Sequence, residues 1–239
     1  MINRAVPVAI LLATLPLSAF AQGFTGGDLG IEYNAPTDGS DFGGTTYTGG
    51  VEYGFARNFS VALNLSAYKL ENINTTAANA TLHLTYHMSN IASFGLFSAS
   101  DGIEGDDGAT YTNSTIGIEA GTDFMGGDIG GYIGRLDGDD TFTVLGVDGE
   151  YAFARGISAI GGLDLLTNND VTNSQVSIGA KYAMQQGPEF YAKIGSTREE
   201  SALNTDTSTF IGIGASVSFG AARGTTFGTR SAFESLPRF

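Results

Sequence analysis

The stretch Thr207-Ser208-Thr209-Phe210-Ile211-Gly212-Ile213-Gly214-Ala215-Ser216-Val217-Ser218-Phe219 decides the fold class. From Ile211 on, the odd positions (Ile211, Ile213, Ala215, Val217, Phe219) are apolar, and the even ones are Gly or Ser. Side chains alternate along a strand, so the segment has one apolar face and one face of small residues. A packed core would bury such an apolar face, and a membrane barrel would turn it to lipid.

The same segment carries a finer signal. Gly214, Val217 and Phe219 resemble the terminal-strand signal of bacterial outer-membrane β-barrels: a Gly, a hydrophobe three on and an aromatic two further. The resemblance implies an apolar face toward outer-membrane lipid, with the barrel-insertion machinery as a partner. An ordinary edge strand of a sandwich is the other reading.

Residues 1–21 combine a basic Arg4, an apolar run over 6–17 and a small-x-small Ala19-Phe20-Ala21, which reads as a secretory signal peptide with the mature chain starting at Gln22. No other stretch approaches the roughly 18 apolar residues of a spanning helix, so crossing a membrane requires a closed barrel. With Cys 0 there is no disulfide scaffold, while Gly 35 and Pro 5 suit curved, close-packed strands better than disorder. The net charge is −14, and loss of Arg4 with the leader makes it one more negative. That excludes nucleic acid as a partner and a peripheral place on an anionic membrane surface.

Outward from the terminal segment, the alternation repeats through the chain. It runs through Leu29 to Tyr33, Tyr47 to Tyr53, Phe59 to Ala67, Ala80 to Met88, Ile116 to Ala120 and Ile129 to Ile133. It resumes over Leu145 to Tyr151, Ile157 to Leu165, Val176 to Tyr182 and Phe190 to Ile194. In 91–98, Phe94 and Leu96 compete with Phe97 for the outer face. The expectation is all-β: an antiparallel up-and-down transmembrane β-barrel over 22–219, with about 12 strands and 10 or 14 as alternatives. Connections near 55–58, 89–90, 123–127, 153–156 and 185–188 are short. Those near 38–41, 71, 101–109, 136–140, 167–170 and 197–206 are longer and acidic, the asymmetry of short periplasmic turns and longer extracellular loops. The tail 220–239, locally basic and without alternation, reads as a periplasmic extension or a plug-like segment.

Glu52-Tyr53-Gly54-Phe55-Ala56-Arg57 recurs as Glu150-Tyr151-Ala152-Phe153-Ala154-Arg155. With Tyr86 and Tyr182, Tyr53 and Tyr151 fit one aromatic girdle, because a ring with a polar tip favours the membrane–water boundary.

No catalytic motif appears: there is no Gly-x-Ser-x-Gly, His-Glu-x-x-His or P-loop. His83 and His87 share a face, but four residues of strand separate them by roughly 13 Å, so one metal cannot hold both. The Asp137–Asp140 run lacks the closing Glu of a calcium loop. By parity, Glu32, Glu52, Glu119, Asp148, Glu150 and Asp164 face inward with Lys181, Lys193, His83 and His87. So many charges facing inward imply a water-filled lumen, and carboxylates lining it favour cations.

These features together resemble the Gram-negative porin superfamily in a small form. They are the leader, the alternating strands over 26–219, the Tyr-x-Phe-Ala-Arg turns and the terminus at Gly214 to Phe219. The resemblance implies passive diffusion of small hydrophilic solutes or ions, without cofactor, metal or catalysis. It also implies a constriction loop over 101–109, with Asp101, Glu104, Asp106 and Asp107 as its acidic residues. A non-conducting structural or adhesive barrel acting through its acidic loops is the alternative. A barrel enzyme, the third reading, would need an inward His–carboxylate constellation at the loop rim. Solute identity and the choice of monomer or trimer stay open.

Overall fold

The computed structural model describes residues 23–37, 43–70, 76–89, 91–104, 110–124, 126–185, 187–221 and 224–235. Six strands form the first half: β1 (Gly23–Pro36), β2 (Gly44–Ala56), β3 (Phe59–Leu70), β4 (Thr76–His87), β5 (Ala92–Glu104) and β6 (Thr110–Phe124). Six more follow: β7 (Gly127–Asp137), β8 (Thr141–Ala154), β9 (Ile157–Thr167), β10 (Val171–Ala183), β11 (Glu189–Ser201) and β12 (Thr205–Phe219). Sequence neighbours pair antiparallel throughout, and β12 pairs back onto β1 from Gly27↔Phe219 to Pro36↔Phe210, closing the barrel. Closure leaves no unpaired edge, so every strand's backbone polar groups are satisfied within the wall, as hydrocarbon requires.

The side chains are arranged inside out. Leu96, Ile118, Ile178 and Ile194 are 56–64 % exposed, whereas the inward Thr81, His83 and Thr85 are 0 % exposed. An apolar outer surface of this extent is a lipid-facing surface. β5 resolves its own ambiguity: Phe94 and Leu96 point out, and Phe97 points in at 2 % exposure. Space decides it, since a Cβ on inward Gly117 would lie 2.5 Å from the Phe97 ring and one on Gly134 would lie 3.0 Å from it. Tyr53, Tyr86, Tyr151 and Tyr182 are all outward and exposed near the short turns at one end of the barrel. At the other end, β11 and β12 extend into the segment expected as loop over 197–206, leaving residues 202–204 as the connection.

The described part of the tail departs from a periplasmic extension. Beyond Phe219 the chain reverses through Gly220 (φ 90°) and Gly224 (φ 114°), left-handed conformations that favour glycine. It then runs back inside the wall, from Asp28 and Glu52 near the short-turn end toward Asp101 near the loop end. A single turn of helix, α1 (Ala232–Ser235), ends the described tail, with Ala232 packed among Leu136, Val144 and Leu166.

Candidate functional site: a divided lumen

Inward charges sort by their partners. On the β1–β6 side the tail supplies them. Thr225 Oγ1 donates to Asp28 Oδ1 (3.0 Å), the Thr226 N–H to Glu52 Oε2 (2.7 Å) and Arg230 Nε to Glu119 Oε2 (3.0 Å). Asp101 accepts from Ser231 Oγ (2.5 Å), the Ala232 N–H (3.0 Å) and Asn79 Nδ2 (2.8 Å). The tail thereby meets four carboxylates on four strands. Their burial is affordable because each has charge-assisted donors.

Glu119 is also 2.6 Å from His83 Nδ1. His83 lies on β4 and Glu119 on β6, and they meet across β5 because inward Gly95, opposite Glu119, has no side chain. His87 sits with Nδ1 2.9 Å from Ser93 Oγ, and with Nε2 2.9 Å from Ser60 Oγ and 3.6 Å from Glu52 Oε1. This His–carboxylate pair lies at the short-turn end rather than the loop rim, and Ser60 beside it is 1 % exposed. Elsewhere Lys193 on β11 pairs with Glu32 on β1 (2.8 Å), and Lys181 on β10 bridges Glu150 and Glu189.

Three inward carboxylates make no salt bridge among the described residues: no cation lies within ion-pair distance of Asp128, Asp148 or Asp164, although Lys181 attracts Asp128, and Arg230 and Lys193 attract Asp164, at longer range. Asp164 accepts the Tyr132 hydroxyl (2.8 Å). They sit on β7, β8 and β9 in a staircase. Asp128 is opposite Glu150, Asp148 opposite Gly130, and Asp164 opposite Gly146, itself paired with Tyr132. Each step is two residues along the strand, roughly 7 Å.

This staircase runs beside the space that the tail leaves open. A cavity of about 960 Å³ opens toward the short-turn end, lined by Glu52, His87, Asp128 and Lys181. Another of about 370 Å³ lies toward the loop end, lined by Glu32, Tyr68, Tyr191 and Lys193. Asp148, Asp164 and Glu234 line both. Among the described residues no cluster of His, Asp and Glu is disposed to hold a metal.

All ten residues expected in the lumen face it. Asp101, expected in a constriction loop, lies instead within β5, where the inward parity of Phe97 and Ala99 continues and the tail provides its donors. Glu104 ends β5 and is exposed, while Asp106 and Asp107 lie outside the described residues. Gly214, Val217 and Phe219 fall in β12 as expected, with Phe219 opposite Gly27 on the closing strand. Sequence reasoning missed Asp28, Asp128, Glu189, Arg230 and Glu234. Parity extended by one residue pair from Gly130 finds Asp128; nothing periodic marks Arg230 or Glu234.

No family profile matches the chain, and no curated protein matches it by sequence. Solved structures do match. KdgM porin superposes at a TM-score of 0.57 with 10 % identity, covering 80 % of this chain and 99 % of that one. The CymD monoaromatic hydrocarbon channel gives 0.56 at 9 % identity, with coverages of 83 % and 90 %. NanC porin gives 0.55 at 9 %, with coverages of 79 % and 98 %. At these identities the likeness is one of fold. The chain has the fold of a small outer-membrane porin: a closed, antiparallel barrel of 12 strands.

Proposed function

We propose that this barrel is an outer-membrane diffusion channel for small hydrophilic solutes, with a preference for cations, reached through the leader at 1–21. The observation that carries it is the staircase Asp128–Asp148–Asp164, without a salt bridge among the described residues, with Asp128 on the larger cavity and Asp148 and Asp164 on both. Carboxylates in a water-filled passage concentrate cations and deter anions. The solved structures that share this fold include two porins and a hydrocarbon channel, which supports transport. One KdgM structure holds disordered oligogalacturonate, a polyanion. The sign of this lumen favours the opposite charge.

Carboxylates without salt bridges along the cavities also weigh against a non-conducting adhesive barrel, whose lumen would gain nothing from them. Single-channel recording in planar bilayers tests the proposal: conductance steps with a cation-selective reversal potential are expected. Anion selectivity would overturn the cation preference, and silence of both the intact and the tail-deleted barrel would overturn the channel.

A further inference from the structure

Arg230 is held in an unusually complete pocket for a cation. Its guanidinium carbon stands 4.4 Å from the centre of the Tyr132 ring, its Nε donates to Glu119 Oε2 at 3.0 Å, and its side chain is 9 % exposed. Glu119 itself is 0 % exposed at the side chain and shares its other oxygen with His83. A desolvated carboxylate facing an aromatic ring is the chemistry that recognises guanidinium and alkylammonium groups. Tyr132 also donates to Asp164 of the staircase, so this pocket adjoins the proposed cation path.

The segment bearing Arg230 is attached in a way that favours release. It pairs with no strand, and apart from Ala232 among Leu136, Val144 and Leu166, the Phe233 ring against Tyr68 and the buried Phe227 ring, its contacts are mainly side-chain and capping hydrogen bonds that water or a cation can replace. Left-handed glycines 220 and 224 flank its entry into the lumen. Its one deeply buried ring, Phe227, is 5 % exposed and stacks on His83 at 6.2 Å. The polar wall around that ring is left incomplete: His83 Nε2, Thr85 Oγ1 and Asn64 Oδ1 have no partner. Each such orphan carries a desolvation cost that water would relieve once the ring left. Docking is therefore a balance between carboxylate capping and orphaned polar groups, the condition for a two-state element.

We infer that residues 224–235 form a displaceable plug, seated as an intramolecular mimic of a guanidinium- or alkylammonium-bearing solute in the Glu119–Tyr132 pocket. Such a solute competes with Arg230, releases the plug and opens the β1–β6 side of the lumen. Asp28, Glu52, Asp101 and Glu119 then face water, so the open channel is both wider and more strongly cation-selective. This inference rests on the channel reading for its consequence but not for its test.

The chain has no native cysteine, so Ala232→Cys introduces the only thiol, at a position 5 % exposed within the docked plug, and keeps the backbone N–H that Asp101 accepts. Its rate of maleimide labelling in the refolded full-length barrel reports plug release directly. Guanidinium chloride at millimolar, far from denaturing, concentration is compared with sodium chloride at equal ionic strength. The expected result is labelling faster by about tenfold in guanidinium, the factor for a shift of 1.4 kcal/mol. Adding Arg230→Gln should give fast labelling in both salts. Equal, slow labelling in both salts and in the Arg230→Gln background would overturn the inference. Conductance of the full chain and of a barrel ending at Gly220, each checked for heat-modifiable migration, separates the two readings. Larger currents from the truncated barrel support the plug, and equal currents overturn it. Guanidinium-dependent labelling with no current from either barrel would support the plug and sink the channel instead.

Discussion

Asp148→Asn isolates the contribution of one carboxylate of the staircase. Asp148 lines both cavities and has no ion-pair partner among the described residues, so removing its charge breaks no salt bridge and relieves only its repulsion of Asp128 and Asp164. Its removal should change stability by no more than about 0.5 kcal/mol, as for a surface substitution. Its effect on ions is larger. A monovalent cation passing about 4 Å from the carboxylate in water gains about 1 kcal/mol, and an anion loses as much. With a Debye length near 10 Å, screening at 0.1 M leaves about two thirds of each. The difference between cation and anion is then about 1.3 kcal/mol, or roughly tenfold in relative occupancy at that step. Because permeation averages over the whole path, the measured cation-to-anion permeability ratio should fall several-fold. Asp148→Asn/Asp164→Asn should fall further, since an amide oxygen at position 164 can still accept the Tyr132 hydroxyl and the wall is preserved. Reversal potentials under a salt gradient, measured on protein of unchanged unfolding temperature, give the answer. An unchanged ratio in the double variant would refute the assignment of the staircase as the cation path.

Glu119→Ala should behave oppositely, leaving His83 and Arg230 without their shared carboxylate and costing about 3–5 kcal/mol of stability, read as a lower thermal midpoint in detergent. Enclosure in the lumen, opposed by hydrogen bonds from Thr229 and Tyr68 and aided by nearby Asp164 and Glu32, pushes the Glu234 carboxyl up to about 7. A raised carboxyl favours docking while protonated, so plug docking should be fully favoured below its free value of 4.5 and weaken as pH rises through 7. Labelling of Ala232→Cys should therefore rise from pH 5 to 8 by more than the growing thiolate fraction of a freely exposed thiol accounts for, and Glu234→Gln should remove that excess. On the outer face, Ile118→Lys should cost about 2–4 kcal/mol in lipid, seen as a reduced folded fraction in bilayers, because Ile118 is a 57 % exposed residue in the middle of β6.

The wall was legible in the sequence because lipid and water on its two faces impose a strict period of two. That period located the inward charges from Glu32 to Lys193 and the girdle tyrosines without any pairing information. It could not orient β5, where Phe97 turns inward only because Gly117 and Gly134, on other strands, vacate the space. Nor could it reveal the His83–Glu119 contact across β5, although inward Gly95 between them is the residue that permits it. The expected loop at 101–109 failed at Asp101 for a related reason. A buried aspartate reads as a loop acid until its donors, Ser231 and the Ala232 N–H, are known to lie 130 residues downstream. The tail has no period because it packs through individual hydrogen bonds, so its place in the lumen was legible only as a break in the pattern.

The most direct measurement is the reversal potential of single channels under a potassium chloride gradient, for the full chain and for the barrel ending at Gly220. The expected result is cation selectivity in both, with larger conductance and stronger selectivity once the tail no longer covers Glu52, Asp101 and Glu119. Correctly folded barrels that pass no current, or that favour chloride, would contradict a cation-preferring channel.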